Sequence, residues 1–207
     1  MKIIWRLLGR RPDLSAFAAR PLTPGVEAGP RPGDRRDRYE RVVAQEAPGD
    51  PEPGGPCERL ADAILSYRIF PPALVSGVLA RAPVQPGDTY GICYHFLPGV
   101  DLLFGGRVTH SFRGRDGDVW RAGFTFQTVA GHPMVGEETF WVEKDRATGT
   151  VKAGLHSWSR PGTWLTRLGK PLLRRVQVRA SHAALAQMAK TAGSTDTALR
   201  AGAAPLT

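Results

Sequence analysis

Glu137 and Glu138 stand side by side, His132-Pro133 precedes them by a few residues, and Arg160 follows in a later β-prone segment. Neighbours in a strand project to opposite faces, so only one of the two carboxylates can reach a shared interior. Counting from apolar Phe140 and Val142 predicts that Glu138 points inward, where desolvation has to be offset by a cationic partner, and Arg160 is the expected one. Brought to one pocket mouth, Glu138, His132 and Arg160 would orient a polar ligand group or carry acid/base chemistry. The plainer reading is structural: Arg160 ties down a strand end through a carboxylate, and His132-Pro133 shapes a loop.

Other chemistries find less support. No two of His95, His110, His132, His156 and His182 share a helical i, i+4 spacing, so no metal ligand set is expected. Cys57 and Cys93 have no paired spacing, which argues against a disulfide framework or a zinc site and makes a reducing cytoplasm the simplest location. Gly105-Gly106 and Gly131 lack the strand-loop-helix context and lysine of a phosphate cradle, so no cofactor is expected. Ser157 and Ser159 flank His156, but adjacency alone does not build a nucleophile with its base.

The elements that must position these residues are legible as periodicity. Segments Tyr39–Ala44, Leu74–Arg81, Thr89–Phe96, Gly106–Arg113, Val119–Val129, Glu137–Lys144 and Thr150–Ser159 are rich in Val, Thr and aromatics and bounded by Pro, Gly and Asp. Six of them are consecutive, which implies an antiparallel sheet, with hairpin turns at Arg115–Asp118 and Asp145–Gly149. Trp120, Ala122, Phe124 and Phe126 alternate with polar residues and should face the interior. A helix begins at Cys57 and stops before Pro71-Pro72. A long one runs from Pro171 to about Ala189 after a brief helical turn up to Leu168, with Leu172, Val176, Ala180, Ala184 and Met188 on one stripe.

Charge is concentrated at the ends of the chain, within a formal net charge of +9. Basic ends suit anionic partners, including weak contact with a membrane surface, but no recognition-helix, zinc-finger or stacking-aromatic signature supports nucleic-acid binding. Arg6, Arg10 and Arg11 interrupt the opening apolar run before a signal or membrane span is complete, so no transmembrane segment is expected. Met1–Leu8 reads as a short packed helix or an amphipathic surface anchor. Residues 20–36 hold four prolines and three glycines and read as a linker. The expected organisation is a basic segment and linker over 1–36, one domain over 37–191 and a flexible tail over 192–207.

Two motif blocks carry a resemblance. Phe124–Pro133 with Gly136–Glu143, and Ser157–Pro161 with Leu165–Leu172 and Arg175–Gln177, resemble an uncharacterised protein family, the domain of unknown function nineteen-ninety. Weaker features at Asp37–Glu40 and Arg107-Val108 agree. The chain departs from the family pattern at Val129-Ala130 and in the Pro-rich insertion near Pro48–Pro56. The family is similar to START-like helix-grip proteins, and the resemblance implies hydrophobic-ligand binding by analogy of fold.

The expected architecture is α+β: a curved antiparallel sheet of about six to seven strands gripping the long C-terminal helix. Any part of the sheet face that one helix cannot fill is a cavity, with Trp120, Phe124, Phe126, Phe140 and Leu172 expected to line it. Three functions remain open at this point. The first is non-enzymatic binding of a lipid-like or aromatic small molecule; the second is a cyclase- or hydrolase-like enzyme using Glu138 or His132 with Arg160; the third is a basic interaction module.

Overall fold

Alternation and turn chemistry build most of the sheet. In the computed structural model, residues 1–5, 12–162 and 170–193 are described. They form, in chain order, β1 (Lys2–Trp5), α1 (Ser15–Ala18), β2 (Arg35–Gln45), α2 (Pro56–Leu65), β3 (Val75–Leu79), β4 (Thr89–Leu97), β5 (Val100–Asp116), β6 (Val119–Thr128), β7 (Met134–Asp145), β8 (Thr150–Pro161) and α3 (Lys170–Ala192). The strands make one antiparallel sheet in the order β2-β8-β7-β6-β5-β4-β3, with β1 paired to β5 beyond the end of β6. Both expected hairpins are present. Asp145 Oδ1 accepts the N–H groups of Ala147 and Thr148, an Asx turn that closes β7 onto β8.

Register defines two faces. Across β6, β7, β8 and β2, one inner row reads Phe126, Glu138, Ser157, Asp37, and the row beside it Phe124, Phe140, Leu155, Tyr39. The helices α2 and α3 cover this inner face. Leu60, Ala61, Ile64 and Leu65 of α2 pack on the sheet end that carries Ala122, Phe124, Phe140 and Val142, and Ala184, Leu185, Met188 and Ala189 of α3 complete the same core. Each such side chain, fully buried, contributes about 1.5–3 kcal/mol if apolar and large. The Pro48–Pro56 loop is held down by a fully buried ion pair, Lys144 Nζ to Glu46 Oε2 at 2.7 Å, with the Asp50 carbonyl accepting a second bond from the ammonium.

The amino-terminal segment departs from the expectation. Residues 2–5 are a strand rather than a helix: β5 outruns β6 by several residues, and its open backbone groups at Val100–Leu103 are satisfied by β1. Residues 20–36 are not a free linker. Leu22 bridges to Val129, Val26 is fully buried against Val135 and Trp158 on the outer face, and Phe17 just upstream is buried with Ile4, Cys93 and Leu103. Pro and Gly forbid regular structure there, but they leave two apolar anchors, Leu22 and Val26, able to dock. The expected turn before Leu168 and the tail beyond residue 193 lie outside the described residues.

One glycine is needed for space rather than for a turn. A Cβ on Gly77 of β3 would lie 2.5 Å from Cδ1 of Tyr67. Gly77→Ala is therefore expected to cost roughly 1–3 kcal/mol by overpacking, measured as a lower urea midpoint at unchanged slope.

Candidate functional site

Beyond the reach of α2, the inner face is not filled. A cavity of about 210 Å³ opens between the sheet and α3. Its floor is the register row Phe126, Glu138, Ser157, Asp37, flanked by Gly136 and Ser159; Ile92, Tyr94 and Phe104 close one side, and Val176, Gln177, Ala180 and Ser181 of α3 form the roof. Tyr67, Phe70 and Val75 separate it from a second hollow of about 620 Å³ bordered by Arg59, Asp62, Arg68, Gln187 and Thr191.

Tyr67 is held there by an unusual backbone. The end of α2 is a Schellman turn, in which Tyr67 N–H donates to Ile64 O (2.9 Å) and Arg68 N–H to Ala63 O (2.7 Å). Glycine ordinarily fills the left-handed position of this turn, yet here it is tyrosine, with φ at 53°. That backbone costs a side-chain-bearing residue about 1–2 kcal/mol. The ring meets Phe70, Tyr90, Phe124 and Phe140 at centroid distances of 5.1–6.1 Å, so dense aromatic packing offsets the strain.

Glu138 lies on the cavity wall, and what surface it exposes faces the cavity. Burial first, and then the Asp37 carboxylate one strand beyond Ser157, push its carboxyl up to about 8. At neutral pH it is mostly a protonated acid. The expected Glu138–Arg160 pair is not formed. Arg160 sits opposite Val135 on the outer face, where it bonds Asp34 Oδ2 and Gly25 O, each at 2.7 Å. Glu138 and Arg160 are on opposite faces, so no rotamer brings them together. Asp37 is paired instead, to Arg174 of α3 at 2.8 Å, which also donates to the Tyr39 hydroxyl.

His132 reaches the same cavity as Glu138. Its Nδ1 lies 2.9 Å from Met134 O and 3.1 Å from Met134 N, and its ring packs on Phe104. Burial pulls the imidazole down to about 4, partly opposed by the bond to Met134, so it is neutral under ordinary conditions. Its NMR titration is expected to have a midpoint near 4. The unfolded chain binds that proton at higher pH, so this residue's contribution to stability declines as pH falls from about 6.5 towards 4. A midpoint near 6.5 would show the ring to be solvated.

Of the residues expected to line a cavity, Phe126 does so. Phe124 and Phe140 are wholly buried in the solid core under α2, because that helix docks across their end of the sheet. Trp120 is half-buried beside Arg113 at the hairpin end of β6, about 20 Å along the strand from Phe126. The side chain of Leu172 lies outside the described residues. Sequence reasoning missed Tyr67, Asp37, Phe70 and Tyr94. Asp37 was in principle legible as a strand residue in step with Tyr39.

It also missed a cluster on the outer face. Cys93, His95 and Asp101 bring their ligand atoms within 4.8 Å of one another, with His95 Nδ1 2.9 Å from Asp101 Oδ1 and Ser76 Oγ 3.3 Å from the other ring nitrogen. Cys93 and His95 share a face of β4, and Asp101 comes across the β4–β5 hairpin.

A large antiparallel sheet holding a long C-terminal helix against its inner face, with a cavity between them, is the START-like helix-grip class. A hypothetical protein of Helicobacter pylori shares the fold at 11% identity and a TM-score of 0.50, over 78% of this chain and 90% of that one. Norcoclaurine synthase from Thalictrum flavum aligns at 9% identity with a TM-score of 0.42, over 78% of this chain and 90% of its own. The chain belongs to the family described as Domain of unknown function (DUF1990), whose profile matches residues 22–187. A UPF0548 protein of Dictyostelium discoideum is 29% identical over 145 residues, 66% of this chain and 66%, just under two thirds, of the relative's length. Among the described residues no helix is long and apolar enough to cross a membrane.

Proposed function

We propose that this protein binds a compact apolar or amphipathic molecule in the cavity under α3, without turning it over. The observation that carries the reading is the cavity itself: about 210 Å³ of space walled by Tyr67, Phe70, Tyr94, Phe104 and Phe126, with a few polar groups on its floor. Apolar walls with sparse polar groups are the usual make-up of small-molecule sites, and this one lies just below the roughly 300–1,000 Å³ of drug-sized pockets. The enzymatic alternative retains Glu138 on the cavity wall but loses the group meant to stabilise negative charge. Arg160 is on the other face, and His132 is neutral and fixed against Met134. Cys57 and Cys93 are both buried thiols, which suits a reducing compartment such as the cytoplasm.

The test is direct. Gently purified protein should carry a small molecule into native mass spectrometry or, emptied, should bind propylbenzene. Ala180→Phe in the cavity roof is expected to weaken propylbenzene about tenfold or more, since the added ring occupies much of the space. Failure of the wild type to bind any apolar probe, or equal binding by the Ala180→Phe protein, would overturn the reading.

A further inference from the structure

The cavity is acidic as well as aromatic. Among its described lining residues are no lysine or arginine but three acids, of which Asp37 and Glu138 stand on the inner face and Glu137 on the outer one. Glu137 turns its carboxylate to Gln127 Nε2 at 2.9 Å, and Asp37 is paired with Arg174. Glu138 alone keeps a carboxyl on the wall with no hydrogen bond or ion pair among the described residues. A second group nearby is likewise unsatisfied: the Tyr90 hydroxyl is fully buried and has no partner among the described residues. Tyr67 and Tyr90 both lie within the electrostatic reach of Glu138. Ring faces carry negative potential, and Tyr67, Phe70 and Phe126 line the same cavity as this carboxyl.

Resting on the cavity reading above, we infer that the ligand is a compact amine, its ammonium group held by Glu138 inside the Tyr67, Phe70 and Phe126 walls. A neutral apolar guest would leave Glu138 buried without a partner, a cost the fold could have avoided with leucine or glutamine. An anion would meet no lysine or arginine among the described lining residues to receive it, since Arg174 is already paired with Asp37. An ammonium ion satisfies the carboxylate and gains from the aromatic faces at once.

Proton balance gives the inference a distinct signature. Empty, the site holds Glu138 as the neutral acid, with the carboxyl up at about 8. An amine enters as its cation, the carboxyl proton leaves to solvent, and a carboxylate–ammonium pair remains. Binding therefore releases close to one proton at about pH 7, and affinity rises nearly tenfold per unit between about pH 6 and 8 before levelling. The other groups facing Glu138 do not reproduce this slope. Asp37 is paired with Arg174, His132 is neutral with its ring down at about 4, and burial holds the Tyr67 and Tyr90 hydroxyls well above their ordinary value.

Three probes of one frame separate the outcomes by titration calorimetry on the full chain: 2-phenylethylamine, propylbenzene and phenylacetone. The amine is expected to bind about tenfold or more tighter than propylbenzene at about pH 8 and to show a proton release that scales with buffer ionisation heat. Glu138→Gln should remove the preference and the slope while propylbenzene binding persists. Tighter phenylacetone, with affinity falling above about pH 8, would make Glu138 a hydrogen-bond donor and overturn the inference. So would equal, pH-independent binding of amine and hydrocarbon. Loss of all three probes, propylbenzene included, would overturn the cavity reading itself.

Discussion

Replacing Glu138 with glutamine is expected to stabilise the empty protein by roughly 3–5 kcal/mol at about pH 9 and to change it little at about pH 4. The carboxyl titrates at about 8 in the folded chain, against an ordinary 4.5. The folded state therefore retains a proton that the unfolded state gives up, so this residue's contribution is intact below about pH 4.5 and is lost as pH rises towards 8. Glutamine keeps the shape and removes the titration. Urea denaturation of both proteins at a series of pH values reads the effect as a difference that grows by about 1.4 kcal/mol per unit between about pH 5 and 8. A difference that stays flat across that range would mean that Glu138 is solvated, and the acidic cavity would lose its basis. A residue that destabilises its own fold at neutral and higher pH fits a binding role better than a structural one.

Lys144→Met is expected to cost roughly 3–5 kcal/mol, because it leaves the Glu46 carboxylate buried without its cation. Both side chains are fully buried. Burial alone would raise the Glu46 carboxyl, but the Lys144 ammonium and the N–H groups of Cys57 (2.7 Å) and Glu52 (3.2 Å) outweigh it and hold it below its usual range. Glu46 thus ties the first turn of α2, the Pro48–Pro56 loop and β7 together through one carboxylate. Its contribution is present above the ordinary carboxylate value and is lost as pH falls through the lowered one. Adding Glu46→Gln to Lys144→Met should recover part of the loss, since an amide oxygen can still accept from Cys57 N–H. If the double variant is less stable than the single one, the cost of Lys144→Met does not come from an unpaired carboxylate.

Strand by strand, much of the sheet was legible before any coordinates. Period-two alternation over Val119–Thr128, the Asp145–Gly149 turn and the stop at Pro71-Pro72 are local signals, and local signals survive folding. Faces within one strand followed as well, since parity from Phe140 fixes where Glu138 points. Parity between strands did not follow. Whether Arg160 joins Glu138 depends on which residue of β8 stands opposite which residue of β7, and the observed register of Val135 with Arg160 sends that guanidinium to Asp34. The same limit hid Asp37, which reaches the cavity only because β2 closes the far edge of the sheet.

What the amino-acid order determined by itself was most of the elements from β2 onwards, the α+β class and the inward side of β6 and β7, because these arise from spacings of a few residues. Only the tertiary structure decided where α2 comes to rest, and with it which aromatics become solid core and which become cavity wall. It also decided that a Pro- and Gly-rich stretch docks on the outer face through Leu22 and Val26. Both outcomes rest on contacts between residues far apart in the chain, whose energies depend on shape and burial after docking and leave no periodic trace in the sequence.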